Sequence, residues 1–410
     1  MNLAAFIAQR VAFNRQRSFS RFIIRLAITA TALSVAAMIV TLAFVNGFQS
    51  AVSEKVFSFW GHIRVQQYEP SKAIVAEEAP LQKNDAVVTL LKEKKGIRQV
   101  QAFATKWAVV DKNKEIEGVL FKGVEKNYDF NNLKPFLDSG RWINFADTLY
   151  SREIVLSRPV ANELNIHLND TVSLYFISPA DGKSSYRKMQ VCGIYATGIE
   201  EFDNLFAIGD IRLLRRINNW QNNEIGGYEL FLNNYRDIDT ISNTLYDKLP
   251  DEWVSRSTKE VYPYIFDWLN IQDVNRNVIF TIMSVVAIIN LITCLLILVL
   301  ERTRMIGILK AIGTPDWSIQ KIFLYHSSII SGIGIAIGLV LGLGFCLLEQ
   351  YTHFIKLDQS AYYVSSAPVQ IIWWQVVLVC VATMGVCLIA LIIPTFIIKT
   401  VKPVKAIQFS

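Results

Sequence analysis

Four long runs with almost no charge limit what this chain can become. They cover residues 26–45 (LAITATALSVAAMIVTLAFV), 278–300 (VIFTIMSVVAIINLITCLLILVL), 322–348 and 376–398. A helix rises 1.5 Å per residue, so roughly 20 apolar residues cross a hydrocarbon core of about 30 Å. A soluble helix of that length is seldom apolar on every side. Four such runs predict four transmembrane helices. The first is longer than the apolar part of a secretory leader, about 7–15 residues, and no A-x-A site follows it, so it reads as a span.

Charge orients the spans. Residues 49–277 hold 28 Lys/Arg against 31 Asp/Glu, while the rest of the chain holds 13 against 4. The basic excess lies in three short segments: Arg10, Arg15, Arg17, Arg21 and Arg25; Arg302, Arg304, Lys310 and Lys321; and Lys399, Lys402 and Lys405. Positive charge marks the cytoplasmic side. Both termini and the 301–321 loop are therefore expected inside, with 49–277 and 349–370 outside. Topology accounts for the net +6, and no nucleic-acid partner is expected. The divisions that follow are a cytoplasmic interfacial helix (1–21), a first span (22–48), a large outer domain (49–277), a second span (278–300), a cytoplasmic loop (301–321), a third span (322–348), an outer loop (349–370), a fourth span (371–398) and a cytoplasmic tail (399–410). In the first of these, Leu3, Phe6, Ile7, Val11 and Phe13 fall near one helical face among arginines, as in a helix lying in the headgroup layer.

The outer segment is neither repetitive nor of low complexity. Strand-like runs (62–67, 102–110, 116–123, 153–157, 171–177, 187–195, 228–232) alternate with helix-like ones, the first beginning at the plausible N-cap Asn84. This predicts an α+β domain with two subdomains, inserted between the first and second spans of an otherwise all-α membrane protein. SPADGKSS at 178–185 reads as the turn of a short hairpin. On the third span, Gly334, Gly338 and Gly342 recur every four residues, which lets another helix approach closely. A moving or dimerising interface and static packing within the chain both fit that stripe. Asn290 and Thr293 lie at mid-depth of the second span, where uncharged polar groups serve as interhelical hydrogen-bond partners.

Catalytic motifs are missing. There is no G-x-x-x-x-G-K-[ST], G-x-S-x-G or H-E-x-x-H, and the four histidines are scattered. Of five cysteines only Cys192 lies in the outer domain, so neither a disulfide nor a structural zinc site is expected there. No charge lies within the core of a span, which leaves no basis for an ion-coupled relay. A separate subunit must supply any energy. The loop ERTRMIGILKAIGTPDWSIQKI at 301–322 carries Met305, Ile306, Ile308, Leu309 and Ile312 at helical spacing where solvent is expected, which calls for a partner or for packing on its own spans. Thr314-Pro315 reads as a second helix start, with Thr314 as cap.

That loop resembles the signature of the FtsX/MacB-type ("type VII") ABC permeases, and the order of parts matches theirs. FVNGFQSAVSEKVFSFWGHIRV (44–65), IVLSRPVANELNIHLNDTVSLYF (154–176), KMQVCGIYATGIEEFD (188–203), YIFDWLNIQDVNRNVI (264–279) and KPVKAIQF (402–409) are similar to the lipoprotein-releasing permeases LolC and LolE, so the resemblance spans nearly the whole chain. It implies that Arg304, Met305, Ile306, Gly307, Ile308, Leu309, Lys310, Ala311, Ile312 and Gly313 form a coupling helix on a cytoplasmic ABC ATPase. ATP and Mg would be bound by that partner and not by this chain. The resemblance also implies a bacterial inner-membrane location with the large domain periplasmic, a second permease chain (the same or a paralogue), and a triacylated lipoprotein passed to a LolA-like periplasmic carrier. Met38, Thr41, Leu42, Val45, Phe48, Val278 and Ile282 are the expected lining of the substrate cavity. The LolC hook that grips the carrier is represented here by a shorter loop, with Pro179, Asp181, Gly182 and Lys183 as candidate contacts. MacB-like export and FtsX-like action on a periplasmic partner are the other branches of the same superfamily.

Overall fold

The computed structural model describes residues 19–70, 77–145, 149–177, 184–246 and 248–395. They form two compact units: a helical one within 19–50, 268–356 and 366–395, and an α+β one within 51–267 and 357–365.

The helical unit draws on four helices long and apolar enough to cross a membrane: Phe19–Trp60, Pro263–Glu301, Asp316–Thr352 and Trp373–Thr395. A short helix, Thr303–Ala311, joins the second to the third. The first three overrun their apolar sequence runs, by as many as 15 residues at one end in the first and second. The apolar criterion marks the lipid-facing length, whereas backbone hydrogen bonding carries each helix further. The third helix begins at Asp316 with Pro315 as its cap residue and no side-chain cap bond, one residue later than the Thr314-Pro315 reading.

One buried cluster joins Ile23, Ala27, Leu291, Leu295, Leu298, Ile306, Ile319 and Phe323. A second joins Val35, Met38, Ile39, Leu42, Ile335, Val376 and Val379. The glycine stripe seats the first helix on the third. A Cβ on Gly338 would come within 2.5 Å of the Ala32 carbonyl oxygen, one on Gly334 within 2.8 Å of Thr31 Cβ, and one on Gly342 within 3.1 Å of Ile39 Cβ. Asn290 donates its amide to the Ala27 carbonyl of the first helix at 3.4 Å. Thr293 differs from the interhelical expectation: its hydroxyl donates to Ile289 of its own helix at 2.9 Å, the back-bond open to any helical Thr.

The α+β unit contains β1 (Ile63–Gln67), β2 (Leu81–Gln82), β3 (Ile97–Lys112), β4 (Glu115–Val124), β5 (Leu137–Gly140), β6 (Glu153–Ser157), β7 (Thr171–Ile177), β8 (Ser184–Tyr195), β9 (Phe206–Asp210), β10 (Glu224–Ile225), β11 (Gly227–Leu232) and β12 (Trp253–Ser257). Ten of these form one sheet in the order β12-β1-β11-β3-β4-β9-β6-β8-β5, with β7 pairing β3 and β8. β3 and β4 make its longest ladder, Phe103↔Val124 through Lys112↔Glu115. β7 and β8 pair from Thr171↔Gln190 to Ile177↔Ser184. Asn84 caps Asp85–Glu93, accepting from the Ala86 and Val87 amides.

The last turn of the first long helix is buried in this unit. Gly61, at φ +71°, ends the helix and returns its N–H to the Phe57 carbonyl at 2.8 Å, a left-handed cap. Lys122 on β4 donates to the Phe59 carbonyl at 2.6 Å and pairs with Glu229 at 2.6 Å, both side chains fully buried. Cationic charge suits a helix C-terminus. Beside it, Arg64 lies 4.3 Å from the Trp60 ring centroid and pairs with Glu78 at 2.8 Å. Burial pushes the Glu229 carboxyl up and the Lys122 ammonium down, and their mutual attraction opposes both shifts. Lys55 donates to the Thr197 and Tyr363 carbonyls at 2.8 and 2.7 Å, which holds 357–365 in this unit.

Candidate functional site

In the helical unit, the Asn46-Gly47-Phe48 motif works as a joint. A Cβ on Gly47 would collide with the Pro368 carbonyl, so only glycine lets the backbones meet there. Asn46 donates its amide to Gln375 Oε1 at 2.6 Å, and Gln370 N–H bonds the Ala43 carbonyl at 3.0 Å. Phe48 turns the other way, edge-on to Trp268 with ring centroids 6.1 Å apart.

Beside Phe48 lies a groove of about 430 Å³, between Val40, Thr41, Phe44, Val45 and Phe48 of the first helix and Gln272, Asn275, Arg276, Val278 and Ile279 of the second. Such a volume is at the small end of the ~300–1,000 Å³ typical of ligand sites. Thr41, Val45, Phe48 and Val278 of the expected cavity set therefore line one groove. Met38 and Leu42 are turned into the buried cluster with Ile335 and Val376, because residues three or four apart share a helix face. Ile282 is half exposed, one turn beyond Val278. The polar residues of the groove were missed in the sequence. Gln272, Asn275 and Arg276 recur at i, i+3 and i+4 and so share a helical face with Ile279 at i+7, but the three polar positions precede the apolar run that defined the span.

The 303–311 helix has two faces. Ile306 is fully buried with Ile319 and Phe323, and Met305 and Leu309 pack against the same cluster; Gly307 is buried as well. Ile308, Ala311, Ile312, Gly313 and Arg304 are exposed. Lys310 pairs with Asp316 at 2.9 Å, bracing the turn around Gly313, whose φ is +89°. The outward apolar surface is thus Ile308, Ile312 and Trp317. Trp317 was overlooked because its signal lies in the next helix. Any docking assigned to Ile306 and Leu309 shifts to this outward face, since the inner pair is occupied by the chain's own core.

Pro179, Asp181, Gly182 and Lys183 lie outside the described residues, as do the amino-terminal interfacial segment up to residue 18 and the basic tail. Among the described residues, no group of three or more His, Cys, Asp or Glu could hold a metal ion. Cys192 is buried and its thiol is pushed up to about 12 by that burial, which leaves it unreactive. The described residues offer a groove and an outward apolar helix face, and none of them forms an assembled nucleophile.

Comparison with known families places this arrangement. The MacB-like periplasmic core domain matches residues 26–243, and the FtsX-like permease C-terminal region matches 277–403. The first covers more than half of the chain, so the chain belongs to that family: it is a membrane protein with a periplasmic domain, an ABC permease of the FtsX/MacB kind. Relatives that it matches over their full length include proteins of the LolC/LolE type. It is 23% identical to the lipoprotein-releasing system transmembrane protein LolC of Neisseria meningitidis, over 100% of this chain and 99% of the relative. To LolE of Haemophilus influenzae it is 22% identical, over 100% of both. Among solved structures it is similar to the periplasmic region of MacB from Actinobacillus actinomycetemcomitans (TM-score 0.35, 13% identity, 50% of this chain and 91% of the other) and to the extracellular domain of the transporter YknZ (TM-score 0.33, 16% identity, 48% and 99%).

Proposed function

We propose that this chain is the permease of a lipoprotein-releasing ABC transporter, taking triacylated lipoproteins from the outer leaflet of a bacterial inner membrane towards a periplasmic carrier. The observation that carries this is the apolar groove at 40–48 and 278–279, in a chain whose relatives are named as lipoprotein-releasing system transmembrane proteins. Withdrawing three acyl chains into water at about 0.8 kcal/mol per CH₂ costs on the order of tens of kcal/mol, and an apolar conduit avoids that full hydration.

In this reading four helices span the membrane, both termini are cytoplasmic, and the α+β unit is inserted after the first span on the periplasmic side. A separate cytoplasmic ATPase binds ATP and Mg and docks on Ile308, Ile312 and Trp317. A second permease chain completes the complex, and the 178–186 segment contacts the carrier. The support is the charge asymmetry of the loops and an exposed apolar face on a helix that should otherwise be solvated.

Co-purification from native membranes in mild detergent, with mass spectrometry of what accompanies the chain, tests the proposal. An ATPase together with triacylated lipoproteins is the expected result. An ATPase without lipoprotein would transfer the chain to the export or mechanotransmitting branches, and the absence of any ATPase would overturn the transporter reading.

A further inference from the structure

The groove is polar at one end and apolar at the other, along a single helix face. Gln272, Asn275 and Arg276 precede Val278 and Ile279 on the second long helix. At 1.5 Å per residue, the three polar side chains stand roughly 3–9 Å before the start of the uninterrupted apolar run at 278. That depth is the boundary between headgroups and acyl chains, where the first carbonyls of an acylated lipid lie.

The electrostatics of this collar is specific. Arg276 is the one ionisable side chain among the described residues lining the groove, and its Nη1 pairs with Asp273 Oδ1 at 2.7 Å. Its Nε and Nη2 point towards Asn277 Oδ1 at 3.4 and 3.5 Å. Gln272 and Asn275 add amide donors and acceptors with no charge. The collar therefore offers hydrogen-bond donors without net positive charge. A phosphate is held by unpaired cations or charge-assisted bonds, whereas an ester or amide carbonyl needs a donor alone. The Asp273 carboxylate both neutralises the arginine and disfavours an incoming anion.

We infer that Gln272, Asn275 and the Asp273-paired Arg276 form a neutral collar that selects acylated ligands whose chains end in uncharged ester or amide carbonyls over anionic phospholipids. A phospholipid brings the same ester carbonyls with a phosphate attached, and the collar rejects it on that charge. This rests on the groove being the substrate site, and Asp273 acts through Arg276 as a positioning residue.

The test uses the full-length protein and its ATPase in nanodiscs of phosphatidylethanolamine. The probe is a synthetic tripalmitoylated cysteinyl-serine peptide amide with a photoreactive acyl chain, and phosphatidylglycerol is the competitor. In the wild type, the probe labels the 40–48 and 272–279 segments, and excess phosphatidylglycerol leaves the labelling almost unchanged. Asp273→Asn frees the arginine, and the same excess then lowers labelling by about fivefold, the scale of one partly exposed charge interaction. Asp273→Asn combined with Arg276→Gln restores a neutral collar and with it the resistance to phosphatidylglycerol. Equal competition in the wild type and Asp273→Asn would overturn the collar, as would a double variant that stays sensitive. Failure of the probe to label the wild-type groove at all would instead sink the substrate-site reading beneath it.

Discussion

The two units solve the problem of polarity in opposite ways. The α+β unit buries full charges and pairs them: Lys122 with Glu229, Arg64 with Glu78. The helical unit buries almost none and uses backbone instead, through Asn290 on the Ala27 carbonyl and glycines on the Ala32 and Ala36 carbonyls. Exposure reverses too. Val285, Val286, Ile289, Val381 and Ile389 point outward from the helices, whereas in the α+β unit the aromatic residues Phe59, Trp60, Phe103 and Phe206 are fully buried. Water punishes exposed apolar surface and lipid punishes unpaired polar groups, so the same chain follows two solvents' rules.

Four comparisons would sharpen or break that contrast. The largest effect belongs to Lys122→Met, which strands the buried Glu229 and removes the donor to the Phe59 carbonyl. A loss of about 3–5 kcal/mol is expected, read as a large drop in the thermal midpoint of the full-length protein. Adding Glu229→Met should recover more than half of it, and no recovery would mean that charge pairing is not what stabilises this core. Next, Gly338→Leu drives a side chain into the first helix and should cost about 1–3 kcal/mol. Gly344, where a Cβ would meet nothing within 4 Å, should accept leucine within about 0.5 kcal/mol. Equal effects at the two glycines would show that the stripe does not hold the helix pair.

Ile312→Asp should lose the ATPase in pull-downs with an unchanged thermal midpoint, whereas Ile306→Asp should lower the midpoint because it buries a charge in the chain's own core. The reverse pattern would contradict the two-faced helix. The smallest effect is a pH dependence at His62. Burial, and secondarily the Arg98 charge, lower its imidazole to about 4, and its Nδ1 accepts the Leu232 N–H at 3.3 Å. The folded state thus favours the neutral ring. Its contribution is complete above the unfolded value of about 6.5 and is lost as pH falls from there towards 4. Thermal midpoints measured between pH 7.5 and 5 should fall less in His62→Gln than in the wild type.

Much of this was legible from residue patterns. The apolar runs located the long helices, and runs of β-branched and aromatic residues, several of them alternating, found β1, β4, β6, β7, β8 and β11 near their observed bounds and the middle of β3. β9 (FAIGD) went unseen because it is short, glycine-containing and buried along its whole length, so it shows neither alternation nor length. β12 (WVSRS) was missed because its two serines and arginine break the β-branched and aromatic pattern that marks a strand. The groove was half visible: Thr41, Val45, Phe48 and Val278 were found, but Met38 and Leu42 share an apolar character that cannot tell a groove from a core. Only helix phase separates them, and phase needs the neighbours. The polar collar escaped because Gln272, Asn275 and Arg276 read as the end of a soluble domain. The 301–322 segment showed the converse limit, since Ile306 and Ile312 look alike in sequence and differ only in which side the third helix covers.

Site-specific photo-crosslinking in living cells tests the central claim most directly. A photoreactive residue at Val278, in the groove, would be compared with one at Val286, an outward-facing position on the same helix. The account predicts lipoprotein adducts at 278 and essentially none at 286. Equal capture at both positions, or adducts to phospholipid alone, would contradict it.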